Sequence, residues 1–327
     1  MLPSERDSER ATDEVHRGMT DHAQIFADLQ ESRQRFLALV DDLRPDLHRY
    51  CARMTGSVVD GEDVVQDTLA RAYYELPELK EFPALRAWLF RIAHNRALDY
   101  LRRYERRMSE PLDAALDVAA DETLEPDNAV SRDEAVKAAI SRFLELAPVQ
   151  RSCVILKDVF DYSLDDLAGM LELSVGAIKS ALVRGRSKLR DLSASSNTVP
   201  ELEGQRRSIS PTFERYAALF NKRDWDGVRA MLVDEVKLEL VSRLKCSGRI
   251  QASNYFTNYD SITDWTLVPG WLADREILAV YSPPDDARPS YFMELKIVAG
   301  RITEICDFRH VPYIMRDAVI RPPRIAR

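Results

Sequence analysis

Leu85–Arg107 reads LRAWLFRIAHNRALDYLRRYERR, and the rest of the chain is understood from it. Leu85, Leu89, Ala93, Ala97, Tyr100 and Tyr104 recur at i, i+3, i+4 and i+7, the apolar stripe of an amphipathic helix. Arg91, Asn95, Arg102 and Arg106 gather on the opposite face, with Trp88 and Asp99 at its edge. From Arg86 onward the segment holds seven arginines and two acids, Asp99 and Glu105. Guanidinium donors for phosphates and base edges, beside an indole able to stack, are what a helix needs to read nucleic acid. A core helix with a solvated arginine face has the same pattern, so the flanking sequence decides.

Working outward, 327 residues and 45% hydrophobic content predict two or three folded domains. No apolar run is long enough for a membrane span or a signal peptide, so a cytoplasmic protein without membrane contact is expected. Cys51, Cys153, Cys246 and Cys306 lie far apart with no C-x-x-C pair, which predicts reduced thiols and neither metal nor cofactor. The net charge of −8 speaks against a general nucleic-acid binder, so distribution matters more than total. Residues 1–35 read as an N-terminal extension, with Met19 a second candidate start. Phe36, Leu37, Val40, Leu43, Leu47, Tyr50, Cys51 and Met54 form a helical stripe, broken near Pro45 and ended by Gly56-Ser57. In the next helix Val64, Val65, Leu69, Ala72 and Tyr73 face inward, leaving Asp60, Glu62, Asp63, Gln66, Asp67 and Arg71 outside. Phe36–Leu85 carries ten acids against five basic residues, so this domain has one acidic and one basic surface.

Ser109–Ser131 has seven acids and no lysine or arginine, and reads as a flexible tether. Helical periodicity returns at Asp133. In YSLDDLAGMLELSVGAIKSALVRGRSKLRDL, Ser163 and Asp166 resemble a capping box, Glu172-Leu173 supply a turn, and Ser174 caps a second helix. Ile178, Ala181, Leu182, Gly185 and Leu189 pack inward there. Gly176, Ser180, Val183, Arg184 and Ser187 face outward beside Lys179. Ser174–Arg190 has five basic residues and no acid, the pattern of a DNA-reading helix-turn-helix.

Two DNA-type helices on either side of an acidic tether resemble the group IV, extracytoplasmic-function (ECF) type, bacterial sigma factors. DGEDVVQDTLARAYYEL is similar to the family's region 2.2 pattern D-x-E-D-x-x-Q-[ED]-[TV]-F. ALRAWLFRIAHNRALDYLRR is similar to regions 2.3 and 2.4, and LELAPVQRSCVILKDVFDYSLDDLAGMLELSVGAIKSALVRGRSKLR to region 4, with Ala147 standing before Pro148 where the family has leucine. The resemblance covers about Phe36–Leu192. It implies that Asp63, Gln66 and Asp67 meet the β′ clamp helices of core RNA polymerase, with the β flap a second polymerase contact. It implies −10 binding by Arg86, Trp88, Arg91, Asn95, Arg102 and Arg103, and a flipped base held by the loop at Lys80–Leu85. For the −35 element it implies Ser174, Gly176, Lys179, Ser180, Arg184 and Arg186. Recognition and melting belong to such a subunit and the chemistry to the polymerase, so no catalytic residue is expected.

After a polar tether over 193–208, FERYAALFNKRDWDGVRAMLVDEVKLELV predicts two helices and a strand, and Ala252–Tyr259 a further helix. Strand-like runs follow, with a turn at Ala299-Gly300. This order resembles the SnoaL-like domain of the NTF2-like superfamily, which sigma relatives carry with a D-G-G-G-K motif; SRLKCSGRIQA stands there without it. Trp265, Trp271, Tyr291, Met293, Phe308 and His310 line either a small cavity or a solid core. Asp307 and His310 suggest proton transfer, yet residues three apart on a strand point to opposite faces.

The expected architecture is multidomain: an extension (1–35), an all-α sigma region 2 bundle (36–107), an acidic linker (108–131), an all-α region 4 helix-turn-helix (132–192), a linker (193–208) and an α+β NTF2-like cone with a curved sheet (209–327). The expected function is a sigma factor that binds core RNA polymerase and promoter DNA and is regulated by intramolecular contact with its C-terminal domain, no separate anti-sigma factor being implied. Two readings stay open: a one-component helix-turn-helix regulator, or a SnoaL-like cyclase or isomerase fused to a DNA-binding module.

Overall fold

A computed structural model describes residues 31–76, 84–109, 142–195 and 208–321. The N-terminal extension up to residue 30, the Lys80 part of the base-holding loop, most of the acidic linker and the second tether from residue 196 to 207 lie outside these residues.

Helix α1, described over 31–40, passes through a 3-10 turn at Asp41–Leu43 into α2 (Arg44–Thr55). Pro45 sits in the first turn of α2, where a missing N–H breaks no helical bond, so the interruption is a helix start. Gly56 closes α2 in the left-handed region at φ +82°, its N–H bonded to the Ala52 carbonyl at 2.8 Å. Ser57 then caps α3 (Val58–Glu75), accepting the Asp60 N–H at 3.2 Å. A Cβ on Gly61 would lie 2.6 Å from the Ala52 nitrogen, so α2 and α3 cross at a distance only glycine permits. Helix α4 (Leu85–Ser109) buries Leu89, Ala93 and Ala97 of the predicted stripe, while Tyr104 is exposed.

Helix α5 (described over 142–144) and α6 (Pro148–Val154) lead into a π-helical turn at Ile155–Val159. Helix α7 (Leu164–Leu171) begins with the capping box expected of Ser163 and Asp166, both bonds being made. Glu172 turns the chain at φ +55°, and Ser174 caps α8 (Val175–Ser195) by accepting the Ala177 N–H at 3.2 Å. Leu47, Tyr50, Leu89 and Ala93 share one core with Cys153, Ile155, Leu167 and Ile178, so the two helical units are packed together.

Beyond residue 208 come α9 (Pro211–Asn221), α10 (Trp225–Ala230), β1 (Leu232–Leu240), β2 (Leu244–Ser247), α11 (Arg249–Asp260), β3 (Thr266–Leu272), β4 (Arg275–Tyr281), β5 (Tyr291–Val298), β6 (Arg301–Asp307) and β7 (Ile320–Arg321). The strand order is β2-β1-β6-β5-β4-β3-β7; β1 and β6 run parallel and the other pairs antiparallel. Ala299 and Gly300, both at positive φ, make the β5–β6 turn. One face of the sheet is covered by Phe213, Tyr216 and Phe220 of α9 and Phe256 and Tyr259 of α11. The other face carries Ile277, Ala279 and Phe292, is joined by Phe308 and, from the 3-10 turn Pro312–Arg316, Ile314, and closes on Ala52, Val58 and Val59 at the α2–α3 corner. The chain is therefore multidomain as expected, two all-α units and an α+β unit, with the sheet packed between its own helices and the first unit. Among the described residues no helix is long and apolar enough to cross a membrane.

Candidate nucleic-acid and polymerase interface

Among the exposed side chains of α4 are Arg86, Asn95, Arg102, Arg103 and Arg106, beside Tyr104 and Glu105, with Arg91 half-buried. Asp99 pairs with Arg96 and Arg102, each at 3.6 Å, which holds the guanidinium groups apart without burying them. Arg86 donates to Asp46 (2.9 Å) and to the Tyr162 hydroxyl (2.8 Å), and Arg91 meets Glu172 at 3.4 Å. Trp88, expected at the edge of the basic face, is only 3% exposed and belongs to the core. A helix this closely covered buries its i+3 and i+4 neighbours on both sides of the stripe, so the indole packs and is not available to stack on a base.

Two buried polar groups join this helix bundle to the second. His94 Nδ1 lies 2.9 Å from the Tyr50 hydroxyl and 3.0 Å from Ser152 Oγ, and burial pushes its imidazole down to about 4. Arg151 donates to the carbonyls of Leu144 (2.8 Å), Leu146 (3.1 Å) and Met54. Neither was singled out from sequence, because a lone histidine or arginine at helical spacing carries no sign of its partner.

On α8, Ser174, Gly176, Lys179, Ser180, Val183 and Arg184 are all on the open side or its margin, and Lys179, Ser180, Val183 and Arg184 border one shallow depression. Arg186 is also exposed, yet it is held by Asp158 through two bonds of 3.0 and 2.5 Å.

On α3, Asp63 and Asp67 are exposed and Gln66 is half-buried. Glu62 was expected outside with them and is fully buried. Arg44 donates to its Oε1 at 2.9 Å and the Tyr313 hydroxyl to its Oε2 at 2.9 Å, while Arg44 also reaches Tyr313 (3.1 Å) and Ser242. A carboxylate placed outward by helical periodicity is here enclosed by a sheet that arrives from far along the chain. Around it Arg275 bridges Asp60 (2.8 Å) and Glu294 (3.5 Å), and Arg53 meets Asp317 at 3.0 Å. Register places Glu239 and Glu294 on either side of Cys306 across β1, β6 and β5. Crowding against the sheet, then the carboxylates of Asp60, Glu239 and Glu294, push Asp63 up to about 6. One signal for this seam was legible: Ile277–Val280 is apolar at four successive positions, the mark of a strand covered on both faces.

In the C-terminal unit Trp265, Tyr291 and Met293 lie in the helix-covered core, with Trp271 packed at its side. Phe308 lies on the other face, stacked on Phe292 at 4.4 Å, and His310 is exposed, so the six residues do not line one cavity. Strand alternation separates them. Asp307 points into the core, accepting from Tyr255 (2.8 Å), Tyr259 (2.9 Å) and the Arg309 N–H (2.8 Å). Burial raises its carboxyl above the ordinary range. Among the described residues no group of His, Cys, Asp and Glu side chains is arranged to hold a metal ion.

Residues 39–107 match the family model for Sigma-70 region 2, and residues 137–189 the model for Sigma-70, region 4. The chain is 31% identical over 235 residues to the ECF RNA polymerase sigma factor SigG of Mycobacterium tuberculosis, an alignment covering 64% of this chain and 62% of SigG. It is 33% identical over 153 residues to SigM of the same organism, covering 46% of this chain and 74% of SigM. A solved structure of the sigma factor RpoE in complex with the anti-sigma factor NepR, from Bartonella quintana, is similar at 25% identity and TM-score 0.37, covering 50% of this chain and 97% of that one. Both region models fall in order on one chain, and most of a one-third-identical relative is covered: the chain belongs to the ECF family of RNA polymerase sigma factors.

Proposed function

We propose that this protein binds core RNA polymerase, directs it to −10 and −35 promoter elements and opens the DNA there, under the control of its C-terminal domain. The observation that carries this reading is a pair of open basic faces on one family-matched chain: Asn95, Arg102 and Arg103 on α4, and Lys179, Ser180 and Arg184 on α8. The first supplies phosphate and base donors for the −10 strand, the second a major-groove helix for the −35 duplex. Arg86 and Arg91 join the −10 surface once Arg86 is released from Asp46 and Tyr162 and Arg91 from Glu172. Asp63, Gln66 and Asp67 on α3 form the polymerase-docking surface, where carboxylates complement basic groups of the β′ clamp helices.

The C-terminal sheet supports a regulatory part of the reading, because it sits against the first turn of α3 beside those same acids. We assign it a restraining role on polymerase docking, in cis, so a separate anti-sigma factor is not required. A catalytic role is not proposed for it: Asp307 is buried with its oxygens filled by two tyrosines and a backbone N–H, whereas His310 is exposed in the turn after β6. In vitro transcription tests the whole reading. Core polymerase with this protein should initiate at a specific promoter, and truncation after Leu192 should raise the yield at equal protein concentration. No initiation with any promoter bound by the chain would leave a one-component helix-turn-helix regulator; a folded but inactive truncation would make the C-terminal domain an activator.

A further inference from the structure

The π-helical turn Ile155–Val159 aims two rings of region 4 at the helix assigned to the −10 element. It ends in Phe160 and in Asp161 at φ +55°, and Lys157 fixes the exit by donating to Asp161 (3.1 Å) and to the Tyr162 carbonyl (2.9 Å). Phe160 and Tyr162 both stand edge-on to Phe90 of α4, with centroids 5.7 Å away in each case. The Arg49 guanidinium of α2 lies 4.6 Å over the Phe160 ring and donates to the Val159 carbonyl at 3.4 Å. The Tyr162 hydroxyl takes Arg86, and one turn further on Glu172 takes Arg91. The same turn carries Asp158, which holds Arg186 of α8. Promoter-facing arginines of both helical units are thus engaged by one short segment or its neighbours.

We propose that this aromatic turn is a clasp by which region 4 masks the start of the −10 helix in the free protein, independently of the C-terminal domain. The inference rests on the reading of α4 as the −10 helix. Its parts differ in strength. The rings packed on Phe90 are half-buried, whereas the arginine pairs are more exposed and individually weak. DNA phosphates compete directly for those guanidinium groups, so entry of the strand and departure of the clasp are coupled.

The test uses the full chain, a fluorescein-labelled single-stranded oligonucleotide carrying the −10 sequence, and two variants that leave net charge unchanged. Phe160→Ala should bind the oligonucleotide about tenfold tighter, equivalent to about 1.4 kcal/mol of masking removed. Tyr162→Phe, which keeps the ring and removes only the region 4 acceptor of Arg86, leaving Asp46, should tighten binding by a smaller factor. In both, hydrogen exchange over residues 85–91 should quicken without added DNA. Unchanged affinity and unchanged exchange in both variants, with normal circular dichroism, overturn the clasp. Should Phe160→Ala unfold region 4, Tyr162→Phe alone decides. A wild-type holoenzyme that cannot open any promoter would instead overturn the −10 assignment, which separates the two failures.

Discussion

The seam between region 2 and the C-terminal sheet has charges at its centre: Arg44 and Glu62 are both buried, with Tyr313 and Ser242 completing their hydrogen bonds. The seam between region 2 and region 4 buries a cation too, Arg151, but it is held by backbone carbonyls, two in its own unit (Leu144 and Leu146) and one across the seam (Met54). Beside it lie the neutral groups Tyr50, His94 and Ser152, with the half-buried rings on Phe90 further out, while the Arg91–Glu172 pair and the Arg86–Tyr162 bond lie at the wet rim. A buried charge that loses its partner is costly, whereas a rim charge exchanges partners readily. The first seam is therefore suited to a discrete docked state, and the second to a cover that DNA phosphates can displace.

Glu62→Ala should produce the largest effect, about 3–5 kcal/mol of lost stability, because Arg44 is left as an unpaired buried cation. Denaturant unfolding of the full chain measures it. Arg44→Met with Glu62→Leu should lose far less than either single change; equal losses would show that the pair is not acting as a unit. Tyr313→Phe removes a donor to the buried carboxylate and an acceptor for Arg44, so it should lose about 1.5–3 kcal/mol. That loss should be confined to the docking of the sheet, visible as faster proteolytic separation of the C-terminal domain with both helical units still folded.

The two seams should also respond to pH in opposite directions. Asp63 is raised from 3.8 to about 6 by burial, by Asp60 of its own helix and by Glu239 and Glu294 of the sheet; the sheet's share makes the docked state bind the proton more tightly than the separated one. Its favourable contribution is complete below about pH 4 and is lost as pH rises through about 6. His94 is lowered from 6.5 to about 4, so its contribution is complete above about pH 6.5 and is lost progressively as pH falls toward 4. His48, lowered to about 4 in the C-terminal seam, opposes Asp63 at acid pH, while Glu62, raised to about 7, acts with it. Hydrogen exchange should therefore show that seam loosening as pH rises from about 6 to about 8, and the region 4 seam loosening as pH falls from about 6.5 toward 4. Asp63→Asn should weaken the first trend, leaving the part due to Glu62, and leave the second unchanged. The smallest effect belongs to Glu172→Ala: an ion pair this exposed should change stability by less than about 1 kcal/mol. A larger value would mean that the rim, and not the rings, holds region 4 in place.

Both helical units were legible because their periodicity and caps are local. Leu89, Ala93 and Ala97 are buried as their spacing required, and Ser57, Ser163 and Ser174 cap helices within three residues of themselves. The outward faces of α4 and α8 followed from the same geometry. Trp88 did not, since a helix covered from two sides buries residues that a single apolar stripe leaves at its edge. Alternation separated Asp307 from Phe308, yet which strand faces would share a core was not local information: Phe308 lies across the sheet from Tyr291 and Met293, with which the sequence reading groups it.

What the sequence determined by itself is the set of elements, their solvent-facing charges and the family that writes them in this order, all of which depend on neighbours a few residues apart. Only the tertiary structure decided which of those charges would meet. Glu62 stands 251 residues from Tyr313, Arg53 stands 264 from Asp317, and Arg86 stands 76 from Tyr162. Nothing local distinguishes Glu62 from Asp63, one position on. The helix turns about 100° per residue, and that rotation puts one carboxylate under the sheet, bonded and buried, and leaves the other at the edge of the seam.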